Sequence, residues 1–409
     1  DSRAPGGGGA GFENSDAGTG SQGTSSTIPA EDGSNALGGD GGISRGAGAE
    51  PSEAIGGDGG NLGENGQFGG GTAGAAINQN GYTITYINTG DIRGEITGAP
   101  FFATTLYTGN GTTQDVVSGL NLVDSGGLVW IKSRDSTTSH ALFDTTRGAT
   151  KSISSNAIGG ETTVASSLTA FNSDGFTISN SSEVNLSANP YVSWQFIKKQ
   201  GFFDKVTYVG DGVAGRTVAI DLEDGTAQFG MALVKLTSGS EGWFVQHRSL
   251  LGTQYLRLNT TAAVAASAGT WDNTSATTAA LTVGTWTGIN QSGNGIAAYL
   301  FAHNPTKGIF CGSYTGTGAA GNAVVTGFPV GWLMVKRTDA SADWFIVDVV
   351  RSGGPTMSNY LLANTSVVEG TTTLFFANAD GFTVNAVTSD LNASGGNYIF
   401  MAIADPALF

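Results

Sequence analysis

Tyr107-Thr108-Gly109-Asn110-Gly111 returns as Tyr208-Val209-Gly210-Asp211-Gly212 and again as Tyr314-Thr315-Gly316-Thr317-Gly318. After each of these turns comes an apolar run that closes on lysine: Leu128 to Lys132, Ala232 to Lys235 and Trp332 to Lys336. A second apolar run follows and leads to an arginine, from His140 to Arg147, from Trp243 to Arg248 and from Trp344 to Arg351. The three lysines lie 103 and 101 residues apart and the three arginines 101 and 103. Self-similarity at a fixed period marks a repeat architecture, so the chain after about residue 100 reads as three tandem copies of one unit.

Inside a copy, short β-branched and aromatic runs alternate with Gly, Asn, Asp and Ser breaks, and helical heptads are absent. That is the pattern of an all-β sandwich or barrel. Phe171-Asn-Ser-Asp174-Gly175-Phe176 recurs two periods on as Phe376-Ala-Asn-Ala-Asp380-Gly381-Phe382, and Asp-Gly between alternating apolar residues signals a tight hairpin. The second copy departs, offering Trp286-Thr287-Gly288-Ile289 instead. Each copy ends on an aromatic strand: Tyr191 to Phe196, Ile296 to Phe301 and Tyr398 to Ile403. The fold class expected is therefore all-β, with an extended Gly-rich N-terminal stem followed by three tandem β-sandwich, jelly-roll-like domains. Their boundaries fall near Gly201 and Gly308, giving repeats at 101–200, 201–308 (divergent) and 309–409, after a stem at 1–80 and a connector at 81–100.

The stem carries 25 of the chain's 65 glycines, few large apolar residues, and ten acids against Arg3 and Arg45. Its glycines are irregularly spaced and nearly without proline, which excludes a collagen triple helix. Gly38-Gly39-Asp40-Gly41-Gly42 repeats as Gly56-Gly57-Asp58-Gly59-Gly60, close to the start of a calcium-binding β-roll nonapeptide. The sixth position, however, holds Ile43 in one copy and Asn61 in the other where the ion needs a carboxylate, so no metal is expected. Ordering a Gly-rich chain costs about 1–2 kcal/mol per residue. The stem is thus expected to be held by sister chains or by other proteins of an assembly.

At Gly127-Leu-Val-Trp-Ile-Lys-Ser-Arg-Asp135, His140-Ala-Leu-Phe-Asp-Thr-Thr-Arg-Gly148, Phe171 to Ile178 and Gly201 to Arg216, the sequence resembles tandem β-domains of structural and tail-associated proteins of marine bacteriophages, especially cyanophages, which are similar to concanavalin A-type (lectin) jelly rolls. The resemblance runs from about residue 101 to 409. It implies a virion component with a lectin-like fold, and fold likeness alone does not assign a sugar-binding activity.

Net charge is −15 and no basic run exceeds Lys198-Lys199, which disfavours nucleic acid and anionic membrane as partners. No apolar window is long enough to span a bilayer, and the N-terminus lacks the basic start and apolar centre of a signal peptide. The chain begins at Asp1 rather than Met, which points to processing or an upstream segment. Cys311 is the single cysteine, so neither an internal disulfide nor a thiolate metal cluster is available, and it reads as a small buried apolar residue. His140, His247 and His303 occupy no shared repeat position, and nucleophile elbow, zinc-helix, phosphate-loop and paired-acid motifs are missing.

No enzyme and no cofactor are expected from this inventory. Lys132, Lys235, Lys336, Arg147, Arg248 and Arg351 are expected to be repeat-equivalent structural residues, with the arginines pairing a nearby acid such as Asp144 or Asp348, although a ligand-binding edge uses the same residue types. Trp271 and Trp286 in the divergent copy are candidates for stacking on sugar, since a flat ring matches the apolar face of a pyranose; core packing is the competing reading. The function expected is that of a virion protein: a homotrimeric tail fibre or appendage, anchored by its stem to other virion proteins and recognising host glycan multivalently. A capsid decoration or fibre-adaptor protein and a polysaccharide depolymerase are the alternatives.

Overall fold

A computed structural model describes residues 101–405 and, before them, four two-residue strands paired as Ile43–Ser44 with Ala54–Ile55 and Ile77–Asn78 with Ile96–Thr97. The stem at 1–80 and the connector at 81–100 otherwise lie outside the described residues. The fold is all-β, with a few single-turn helices.

Each copy builds a four-stranded antiparallel sheet with one strand order. In the first copy it runs Phe102–Thr108, Pro190–Ile197, Gly127–Ser133, Ala141–Asp144. The second copy uses Phe203–Val209, Gly295–His303, Gln228–Leu236 and Phe244–His247. The third uses Ile309–Thr315, Asn397–Ala404, Val330–Arg337 and Trp344–Asp348, and continues through four more strands into an eight-stranded sheet. In all three the aromatic strand that ends the copy lies between its first strand and its lysine strand.

The recurrent turn has a packing cause. Gly109, Gly210 and Gly316 press so close to the carbonyls of Leu186, Gln291 and Ala393 that a Cβ would overlap them. Two residues on, Gly111, Gly212 and Gly318 sit at φ of 70°, 74° and 73°, a left-handed conformation that only glycine adopts without strain. The tyrosine opening each motif donates its hydroxyl to Val184 O, Ile289 O or Leu391 O, within the short helices Ser182–Asn185, Thr287–Asn290 and Ser389–Asn392.

Those helices carry an asparagine that sequence reading passes over. Asn185, Asn290 and Asn392 are fully buried. Each accepts from the backbone of the turn, at Asn110 N, Asp211 N and Thr317 N (2.8–3.0 Å). Each also donates to carbonyls on both sides of the helix, as Asn290 does to Val213 O (2.9 Å) and Gly284 O (2.8 Å). One side chain therefore satisfies the backbone polar groups that the turn and the single-turn helix leave over.

Asp174-Gly175 and Asp380-Gly381 do form hairpins, between Leu168–Asn172 and Gly175–Ile178 and between Gly370–Asn378 and Gly381–Val384. The glycine is the first strand residue after the turn, at φ of 152° and 153°, and a Cβ there would overlap Val116 O or Val324 O of the neighbouring strand. Trp286 is not the second copy's counterpart of this turn. It occupies the N-cap of Thr287–Asn290, equivalent to Ser181 and Thr388, while Ala280 starts the strand that Gly175 and Gly381 start elsewhere.

Strand alternation gives each main sheet two apolar faces. One face packs on the copy's own smaller sheet: Val129, Ile131 and Phe143 with Phe176 and Ile178 in the first copy, Leu333, Val335 and Phe400 with Phe375 and Phe382 in the third. The other faces meet in one shared core that takes Trp130, Trp194 and Phe196 from the first copy, Leu233, Tyr299 and Phe301 from the second, and Met334, Met401 and Ile403 from the third. Trp194 stacks edge-on against Trp130 at 5.9 Å and Trp332 at 6.4 Å, and Phe196 against Phe301 at 5.4 Å. The copies are thus one compact unit rather than units strung along a line.

Candidate functional site

Three seams join the copies, and the same backbone hydrogen bond closes each. Glu161 N donates to Thr237 O (2.7 Å), Val264 N to Thr338 O (2.8 Å) and Glu369 N to Arg134 O (2.8 Å), which links copy one to two, two to three and three back to one. A second set repeats the circuit. Trp243 Nε1 donates to Ser154 O (2.8 Å) and Trp344 Nε1 to Arg257 O (3.0 Å), and His140 Nε2, at the matching position, bonds Leu362 O (3.1 Å). Head-to-tail contacts of one kind that return to their start make a closed ring.

The recurrent charged residues serve these seams. Lys132, Lys235 and Lys336 are fully buried, and their ammonium groups bond only main-chain oxygens. Lys235 reaches Ile158 O (3.1 Å) and Lys336 Thr261 O (3.1 Å), each on the preceding copy. Burial pushes all three down to about 8. None is exposed as a ligand-binding edge would require.

Arg147 pairs Asp144 and Arg351 pairs Asp348, both at 2.5 Å and both out of solvent. Each acid also reaches across a seam, Asp144 accepting from Tyr299 (2.8 Å) and Asp348 from the indole of Trp194 (3.1 Å). Burial works to raise Asp144, but the Arg147 guanidinium beside it prevails and holds its carboxyl below the usual range.

Arg248 does not belong to this set. Strand register places His247 opposite Met231 as Asp144 is opposite Leu128 and Asp348 opposite Trp332, so the counterpart of Arg147 and Arg351 is Leu250. The matching sequence interval arose because the arginine follows directly on the position that holds an acid in the other copies. Arg248 instead spans to Cys311 O (3.3 Å) and to the side chain of Gln228. His247 keeps the seam role through Phe400 O (3.1 Å), and burial pushes both His140 and His247 down to about 3.

Neither tryptophan candidate offers an open face of the kind expected of it. Trp271 is wholly buried, with its indole donating to Gln254 O (3.0 Å). Trp286 is half-buried, set edge-on to Phe244 (5.2 Å) and Tyr255 (5.4 Å), with the Arg257 guanidinium 5.3 Å from its ring centre. Cys311 is buried too, which pushes its thiol well up.

What sequence reading missed is a groove of about 560 Å³ at the seam between copies two and three. Ser249 and Gln254 form one wall; Ser313, Thr315, Asp339 and Asn397 belong to the other. Asp339 is held by Arg337 (2.9 Å) and accepts from Asn397 N (3.2 Å), and the Arg337 hydrogen bond keeps its carboxyl below the usual range. No sequence motif announces the groove, because its walls lie about sixty or more residues apart and share no pattern. The buried asparagines, by contrast, carry a signal in their recurrence at intervals of 105 and 102 residues.

Among the described residues no three His, Cys, Asp or Glu side chains gather as a metal site, and no helix is long and apolar enough to cross a membrane. Residues 2–97 match the model of a family described as Phage tail fibre adhesin Gp38. No curated protein matches the chain. A second family model runs over residues 97–406, the whole of the three-copy ring, and by that match the chain belongs to the family described as Domain of unknown function (DUF7483).

Proposed function

We propose that this protein is a non-enzymatic virion subunit of a phage tail fibre or appendage, attached through its first hundred residues to other virion proteins, with its ring recognising glycan on the host surface. The observation that carries this reading is the match of residues 2–97 to a tail fibre adhesin family, directly ahead of the ring. The chemistry of the ring agrees with it. A glycosidase needs two carboxyl groups facing each other across a cleft. The acids Asp144, Asp348 and Glu369 are instead neutralised by Arg147, Arg351 and Arg134. The groove at the second seam is lined by a single carboxylate, Asp339. A homotrimer belongs to the same reading, with its contacts outside the seams, which are already closed within one chain.

Mass spectrometry of tails separated from capsids is expected to find the protein with the tails, and purified protein is expected to slow adsorption of the phage to its host. Recovery from capsids alone returns the protein to the decoration or adaptor reading. Release of shortened oligosaccharides from host polysaccharide makes it a depolymerase.

A further inference from the structure

The three seams share their backbone closure and differ in what fills the space beside it. At the seam between copies three and one, Arg134 donates twice to Glu369 (3.0 and 2.6 Å), and Glu369 also takes Arg351 (2.9 Å). At the seam between copies one and two, Lys205 crosses to Thr146 Oγ1 (2.6 Å).

Strand register shows what stands at these positions in the seam between copies two and three. Val264 replaces Glu369, Thr338 replaces Arg134, and Cys311, with its short buried side chain, replaces Lys205. Neither the Arg134–Glu369 pair nor the Lys205 bridge thus has a charged counterpart at the seam that carries the groove.

The groove is lined with polar groups that the fold does not use. Among the described residues, nothing donates to or accepts from the side chains of Ser249, Ser313, Thr315 or Asn397. Free hydroxyls and one free carboxamide converge on a space within the range of small-ligand sites, about 300–1,000 Å³. Its lining has no cation, and its one charge is the Asp339 carboxylate. A ligand rich in hydroxyls that alternately donate and accept fits such walls, and an anionic one finds no cation in the lining to pair with, since Arg337 is already taken by Asp339.

We propose that the groove between copies two and three is a binding site for an uncharged oligosaccharide segment, held by Ser249, Gln254, Ser313, Thr315 and Asn397. The assignment rests on the host-recognition reading above and names its site and ligand class. It places the site at one seam of the ring, and avidity then comes from several chains on one particle.

The test uses the full chain and saturation-transfer NMR with uncharged trisaccharides of hexose and of N-acetylhexosamine, beside sialylated and uronic-acid trisaccharides. Signal is expected from members of the uncharged set. It should fall at least tenfold in Asn397→Ala with Ser313→Ala, which touch only exposed polar groups. It should fall equally in Val264→Glu with Thr338→Arg, which installs the plug of the third seam. Unchanged melting of each variant shows that the ring is intact.

No signal from the uncharged set, a preference for the anionic set, or signal that survives both pairs of substitutions overturns the proposal. Adsorption assays separate its failure from that of the reading beneath it. Wild-type and plugged proteins that block adsorption equally remove the groove and keep the fibre reading, whereas a wild-type protein that leaves adsorption unchanged removes the reading whatever the groove binds.

Discussion

Lys132, Lys235 and Lys336 place ammonium groups where a hydrophobic residue of similar length would fill the space, because only a cation with three donors ties off several carbonyls at once. Their depressed values set a pH signature. Unfolded lysines keep 10.5, so between about 8 and 10.5 the unfolded chain binds more protons than the ring and stability rises with pH. The buried tyrosines Tyr107, Tyr299 and Tyr314, pushed upward by burial, act in the opposite sense at higher pH. Melting temperature is therefore expected to climb from pH 8 to about 9.5, and Lys235→Met should flatten that climb. Asn290 is the more costly single side chain to remove. Asn290→Ala strands Asp211 N, Val213 O and Gly284 O, and denaturant unfolding is expected to show a loss on the order of 3 kcal/mol. An outcome within experimental error of wild type would falsify the capping role.

At the scale of elements, the hairpins at Asp174-Gly175 and Asp380-Gly381 are held by the close approach of a third strand, not by the turn alone. Gly381→Ala meets both a backbone at φ 153° and the oxygen of Val324. It is expected to cost more than about 2 kcal/mol, well beyond the ~1 kcal/mol or less of an ordinary change at glycine. Ala280 holds the matching place in the second copy, where Arg216–Ala219, the counterpart of the strands carrying Val116 and Val324, is still its neighbour and the first strand of the hairpin is the one absent from the sheet. Its replacement by glycine should lower stability by no more than about 1 kcal/mol, from backbone entropy. Comparing the two melting curves tests whether the need for glycine comes with the tight hairpin, which the second copy lacks, since both sites keep the neighbouring strand.

For the whole molecule, a core shared by all three copies predicts one cooperative transition. Calorimetry of the ring should give a single peak, and a chain ending at Lys307 should fail to fold, since it would expose Trp194, Phe196 and Phe301 against an absent third copy. Two or three resolved peaks would show independent folding and refute the closed ring. Acid should loosen the ring at the two seams that carry histidine, both against copy three. His140 and His247 bind protons at about 6.5 when unfolded and at about 3 when folded. The unfolded chain therefore holds more protons across that window, and their contribution to stability is full above 6.5 and falls as the pH drops. Between pH 6.5 and about 5, wild type is expected to lose melting temperature faster than His140→Gln with His247→Gln.

The sequence by itself determined the all-β class, the period of about a hundred residues, the glycine turns and the Asp-Gly hairpins, because strand alternation and turn chemistry are local and repeat with the unit. It also pointed to the pairing of Arg147 with Asp144 and of Arg351 with Asp348, three residues apart in each case. Ring closure was decided only in the tertiary structure. Trp130, Trp243 and Trp332 read equally well as the core of separate sandwiches, and nothing local says that one face of each sheet is reserved for its neighbours. The misplacement of Arg248 has the same origin, since an interval along the chain does not see that His247 takes the acid's place in the register. The groove is the furthest from local rules. Val264 and Thr338, from two different copies, meet there where the third seam holds Glu369 and Arg134, and only the closed ring brings those positions to one place.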